Sequence, residues 1–79
     1  MSAVVLPFAP TVRIQRAEGA FAAVNIIARR MGYADHLAFR AARVAKGEVL
    51  AGTKSAARAV ADMKADLRLA ARGNGPEAA

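Results

Sequence analysis

The chain has no cysteine and no tryptophan, one histidine, one tyrosine and three phenylalanines in 79 residues. Without cysteine it can form neither a disulfide framework nor a cysteine-ligated zinc site, and a reducing compartment suits it. One histidine per chain excludes a site built from several imidazoles. Long apolar runs are missing too. The opening MSAVVLPFAP is broken by two prolines and has no basic stretch ahead of its apolar residues. It reads as neither a signal peptide nor a membrane span, and the expected location is cytoplasmic.

What is abundant is alanine and positive charge. The apolar share is 56%, but much of it is alanine, which favours helix and contributes little buried area. A chain this short forms one domain and buries only about 60% of the surface it exposes when unfolded. With so few large apolar groups it gains most by packing against a second copy, so a homodimer is expected. Twelve Lys and Arg against six Asp and Glu give a net charge of +6 and a pI near 11.2, and nine of the twelve are arginine. Arginine's planar fork matches phosphates and guanine edges. The balance favours an acidic partner, with double-stranded DNA foremost, although a GC-rich gene also enriches arginine.

Along the chain, residues 1–10 read as an extended arm. VVL is a candidate short strand, and PFAP is proline punctuation. From Thr11 to Arg16 polar and apolar residues alternate, with Val12 and Ile14 on one side and Thr11, Arg13 and Gln15 on the other. That alternation predicts a strand. A first helix is expected over Ala17–Met31, with Phe21, Val24, Ile27, Ala28 and Met31 as its apolar stripe and Gly32 as its stop. A second is expected over His36–Lys46, capped by Asp35, ended by Gly47 and buried through Leu37, Ala41, Val44 and Ala45. GEVLAGT reads as a connection with Val49 and Leu50 tucked beneath it. A third helix is expected over Ser55–Arg72, with Thr53 or Ser55 as its cap. Its stripe is Ala56, Val60, Met63 and Leu67, continued by Ala70 or Ala71. Gly73, Asn74, Gly75 and Pro76 stop it, leaving 73–79 as a flexible tail.

Catalytic chemistry is sparse. Ser2 and Ser55 lie in the arm and at a helix start, and Ser55 suits a cap better than a nucleophile. Asp62 and Asp66 share a helix face four residues apart, but a metal needs more ligands than two, and Arg58, Lys64 and Arg68 around them read as a solvated mixed-charge face. No enzyme activity, cofactor, metal or small-molecule substrate is expected.

The order strand, helix, glycine turn, helix over residues 11–47 resembles the ribbon-helix-helix repressors of the Arc and MetJ type. That resemblance implies two chains pairing their strands into an antiparallel ribbon for the major groove. Thr11, Arg13 and Gln15 would face bases, and the start of the second helix at Asp35 and His36 would anchor a phosphate. The family's second helix commonly opens on serine or threonine rather than aspartate, and its minimal form needs no third helix. Residues 27–47, IARRMGYADHLAFRAARVAKG, also resemble an AraC-type helix-turn-helix through Gly32, Tyr33, Asp35 and Phe39. In that case His36, Arg40 and Arg43 would be the recognition surface. Arg16, Arg40, Arg43 and Lys46 are expected near phosphates in the preferred arrangement. A different class competes with both: small inhibitors encoded by phages or mobile elements, such as anti-CRISPR proteins, which occlude a host protein complex with a rigid surface. Arginines with Phe8, Tyr33 or Phe39 would serve there.

The expectation is therefore a mainly α fold with one short N-terminal β-strand followed by three helices, the strand pairing across a homodimer. Its single domain spans 11–72, and its preferred role is that of a dimeric DNA-binding transcriptional regulator.

Overall fold

The computed structural model describes the backbone of residues 10–78 and the side chains of 11–73. The described chain is mainly helical, with α1 over Pro10–Arg30, α2 over Asp35–Ala51 and α3 over Ala56–Ala78. No strand occurs among the described residues. Most of the expected arm, with VVL and Phe8, lies outside them.

Residues 11–16, expected as a strand, form the first turns of α1. Pro10 opens the helix, where its fixed φ fits and its missing N–H costs nothing. So short an alternation does not override the strongly helical stretch that begins at Ala17. Helical bonding satisfies each backbone group within the segment, whereas a lone strand would leave a full edge of donors and acceptors waiting for a partner. In the helical register Ala17, Ala20, Val24 and Ala28 form the buried face, and Ile14, assigned to the inner side of the ribbon, is 49% exposed. Gly19 falls inside α1 and does not break it.

α1 ends where expected. Gly32 takes φ 99°, its N–H donates to the Arg29 carbonyl, and the Tyr33 N–H donates to that of Ala28. This pairing closes a helix on a left-handed residue. α2 departs from expectation at both ends. Ala34 (φ −62°, ψ 155°) occupies the cap position with no side-chain cap, and Asp35 is the first helical residue. Gly47 lies within α2, which ends instead at Gly52 with φ 79°, the N–H groups of Gly52 and Thr53 donating to the carbonyls of Val49 and Glu48. GEVLAGT is thus largely helix. Val49 is buried as expected, while Leu50 is 38% exposed. Ser55 starts α3 as a cap, its Oγ accepting the Arg58 N–H at 3.1 Å. α3 continues through Gly73–Pro76, where it was expected to stop. Glycine costs about 1 kcal/mol without forbidding the helix, and Pro76 forfeits one bond to a preceding carbonyl.

Gly47 within α2 and Gly52 at its C-terminal cap should respond oppositely to alanine. At Gly47 a Cβ meets nothing within 4 Å, so Gly47→Ala should stabilise by about 1 kcal/mol on helix propensity alone. At Gly52 the left-handed backbone penalises any Cβ, and Gly52→Ala should destabilise by about 1 kcal/mol. Paired urea titrations check both, and midpoints moving in the same direction would contradict the pair.

α1 and α2 run side by side in opposite directions. Near the turn Arg29 Nη2 meets Asp35 Oδ1 at 3.0 Å, and further along Lys46 Nζ meets Glu18 Oε2 at 2.8 Å. These contacts lie eleven residues apart on each helix, about 16 Å of rise on both. They therefore define an αα-hairpin, whereas a helix-turn-helix crosses at about 90–120°. α3 folds back along the hairpin and is tied to the α1–α2 turn by the Tyr33 hydroxyl, which donates to the Leu67 carbonyl at 2.6 Å.

The seam between the helices is built from small side chains. Among the described residues the buried apolar set is Ala17, Ala20, Val24, Ala28, Ala38, Ala41, Ala42, Ala45, Val49 and Ala59, with Val24 the largest side chain that is fully enclosed. Phe21, Ala56, Val60, Met63 and Leu67 flank the main cluster, partly buried. On α2 the expected face is rotated. Ala41 and Ala45 are buried, but Leu37 and Val44 are 40% and 48% exposed, and Ala38, Ala42 and Val49 take the inner positions. Alanine lets two helix backbones approach closely, and only the alanine-lined face of α2 permits that along its whole length.

Candidate interaction face on helix α2

The eight residues singled out for nucleic acid do not form one surface. Thr11, Arg13, Gln15 and Arg16 are exposed on the first turns of α1. Arg13 and Arg16 line a cavity with Gly52, Lys54 and Ser55, at the end of the hairpin remote from its turn. His36, Arg40 and Arg43 lie together on the outer face of α2. Lys46 is committed to the fold, bridging to Glu18 and sitting 5.9 Å from the centroid of the Phe21 ring. Asp35, expected beside a bound phosphate, is paired with Arg29.

The outer face of α2 has a definite composition. His36, Phe39, Arg40, Arg43 and Val44 line one open depression of about 480 Å³. A second, of about 380 Å³, runs toward α1 between Glu18, Phe21, Phe39, Arg43, Lys46, Gly47 and Leu50. Phe39 and Arg43 belong to both, so the two depressions adjoin at these side chains. Phe39 meets Phe21 edge to face, with centroids 5.3 Å apart and planes at 79°. This geometry contributes about 0.5–1.5 kcal/mol beyond area burial and fixes the Phe39 ring while half of its surface stays open. Gly47 forms part of the floor, and its missing side chain lowers it. Arg40 and Arg43 make no ion pair among the described residues.

Sequence reasoning found His36, Arg40 and Arg43 as a face and missed Val44 and Leu50 as its apolar members, because both were assigned inward. The detectable signal was the rival stripe Ala38, Ala42, Ala45 and Val49, one residue out of step with the face chosen.

A third charged cluster joins α2 to α3. Lys54 Nζ lies 3.0 Å from Asp62 Oδ2 and 3.4 Å from Glu48 Oε2, and Arg58 Nε lies 3.2 Å from Asp62 Oδ1. The hydrogen bond from Lys54 holds the Asp62 carboxyl below its ordinary pKa of 3.8 despite some desolvation, and the bond to Asp62 raises Lys54 above 10.5. A carboxyl depressed in the folded state stabilises above its unfolded pKa, and that contribution disappears as pH falls through the folded value. A raised amine stabilises below 10.5 and loses its effect as pH climbs through the folded value. The cluster therefore contributes across the neutral range and fails at both extremes. Asp62→Asn should flatten the acid limb of a stability–pH curve below about pH 4, which thermal melts in a buffer series test. An unchanged acid limb would show that the pair adds nothing.

No group of three or more His, Asp or Glu close enough to hold one metal ion occurs among the described residues. None of their helices is long and apolar enough to cross a membrane. Compared with family models, with curated proteins and with solved structures, the chain matches none of them.

Proposed function

We propose that this protein is a small occluding inhibitor that lays the outer face of α2 on an acidic surface of a host protein complex, in the manner of anti-CRISPR proteins and other products of phages or mobile elements. One observation carries this. The seven large apolar side chains exposed among the described residues are Ile14, Ile26, Leu37, Phe39, Val44, Leu50 and Leu69; four lie on α2, and three of these, Phe39, Val44 and Leu50, line the same depressions as His36, Arg40 and Arg43. A fold that encloses alanine while leaving Phe39 half open holds its larger apolar groups ready for something else. Aromatic and arginine side chains on a rigid element are the usual anchors of protein interfaces, and apolar clusters at this density mark partner sites.

The test is capture with the tagged chain from the producing cells, run beside a Phe39→Ser/Arg43→Glu variant, followed by assay of the captured complex with and without added chain. The expected result is a partner held by the wild type, lost with the variant and inhibited by the free chain. Equal capture by both, or a complex whose activity the chain leaves unchanged, would refute occlusion through this face.

A second reading, a dimeric regulator that binds double-stranded DNA in the cytoplasm, is supported by the net charge of +6 and by the alignment of His36, Arg40 and Arg43 on one exposed face. Residues 11–16 supply no base-reading ribbon in it, since they are helical. Titration into random duplex DNA at two salt concentrations separates the readings. Binding through phosphates weakens with salt at a log–log slope of about −0.9 per phosphate neutralised, and absence of binding at low salt removes DNA. The apolar groups at Ile14, Ile26 and Leu69 support self-association in either case, and sedimentation at two protein concentrations measures it.

A further inference from the structure

The first turns of α1, the end of α2 and the start of α3 border a partly open pocket of about 300 Å³. Arg13, Arg16, Val49, Gly52, Lys54, Ser55 and Ala56 form its wall, and every charged residue among them is a cation. The neighbouring carboxylates are already engaged. Glu48 and Asp62 both bind Lys54, and Asp62 also takes Arg58, so these two acids fix an ammonium at the cavity wall. Arg13 is exposed and makes no ion pair among the described residues. At the start of α3 Ser55 satisfies the N–H groups of Arg58 and Ala59, while those of Ala56 and Ala57 find no protein acceptor among the described residues. Val49 and Ala56 add an apolar patch beside the charges.

We propose that this cavity binds a phosphate monoester, with Arg13 and Lys54 on its oxygens and the first-turn amides of α3 completing the cradle. Two charges on a terminal phosphoryl group match Arg13, Lys54 and the α3 amide donors together better than the single charge of a diester does. A pocket bounded by three helix ends also admits a chain terminus more readily than a backbone that must enter and leave. At about 300 Å³ the space lies at the small end of the range for ligand sites, so the group attached to phosphorus is small. The site stands apart from the α2 face and does not depend on the inhibitor reading.

The experiment is an amide-resolved NMR titration of the full chain with inorganic phosphate and then glycerol 3-phosphate, against sodium chloride at equal ionic strength. Saturable shifts at Gly52, Ala56 and Ala57 are expected with both phosphates and not with chloride. Arg13→Gln should weaken binding about tenfold, the loss of one charge-assisted bond, and Arg13→Glu should abolish it. Arg40→Gln on the α2 face should leave it unchanged. Arg13 is solvent-exposed, and a melting curve confirms that each variant stays folded. Shifts that grow linearly and equally with chloride, or an affinity indifferent to Arg13, overturn the proposal. So would a duplex lacking terminal phosphates that saturates the same amides, which would assign the cavity to nucleic-acid backbone.

Discussion

Replacing Ala42 with leucine should lower the thermal midpoint by about 4–24 °C. Ala42 is fully buried in the α1–α2 seam, in one cluster with Ala17, Ala20, Val24 and Ala45. Three added carbons have no void to enter there. Either the helices move apart along the hairpin or the side chain adopts a strained rotamer, and such overpacking costs about 1–3 kcal/mol. In a domain of this size each kcal/mol moves the midpoint by about 4–8 °C. Differential scanning calorimetry of Ala42→Leu beside Ala57→Leu, an exposed site at the start of α3, gives the comparison. If Ala42→Leu melted with the wild type, the seam would be looser than its alanines imply, and close helix approach would not be what selects them.

Phe39→Ala should weaken binding of the protein partner by about thirtyfold or more while lowering the melting temperature by only several degrees. An aromatic anchor at the centre of a desolvated interface contributes about 2 kcal/mol or more on truncation, and 1.4 kcal/mol is a factor of ten in affinity. Phe39 is 50% exposed and packs edge to face with the Phe21 ring, so the truncation costs the fold about 0.5–1.5 kcal/mol plus the area it buries, and a melting curve shows that the variant stays folded. The contrast with Arg43→Ala is informative. If the partner is a protein, Phe39 dominates and salt has a modest effect. If it is DNA, Arg43→Ala reduces the salt slope by about one contact and Phe39→Ala changes little. Isothermal titration at two salt concentrations reads both variants, and a Phe39→Ala protein that binds as tightly as the wild type would sink the protein-partner reading.

Much of the secondary structure was legible because helix periodicity and end signals are local. Gly32 stops α1, and Ser55 caps α3. The errors came where a local signal had two solutions. Residues 11–16 alternate, but six residues also fit a helix, and the helical turns from Ala17 onward decide between them. Gly47 reads as a terminator because glycine often is one, yet of the two glycines near the end of α2 it is Gly52 that adopts the left-handed conformation a stop of this kind needs. On α2 two stripes one residue apart are both apolar, and hydrophobicity favours the one bearing Leu37 and Val44. Packing rotates the buried face, keeping Ala41 and Ala45 but exchanging Leu37 and Val44 for Ala38, Ala42 and Val49, because small side chains allow close helix approach.

The sequence by itself determined the helical character, the turn at Gly32 and the excess of positive charge, since each is set by residue type and short-range spacing. Only the tertiary structure decided which face of α2 turns inward, and with it that Phe39, Val44 and Leu50 remain outside beside Arg40 and Arg43. It alone brought Arg13 and Arg16 to Lys54 across forty residues of chain. Both outcomes depend on how closely two helices can approach, a property of paired surfaces that neither stretch of sequence specifies alone.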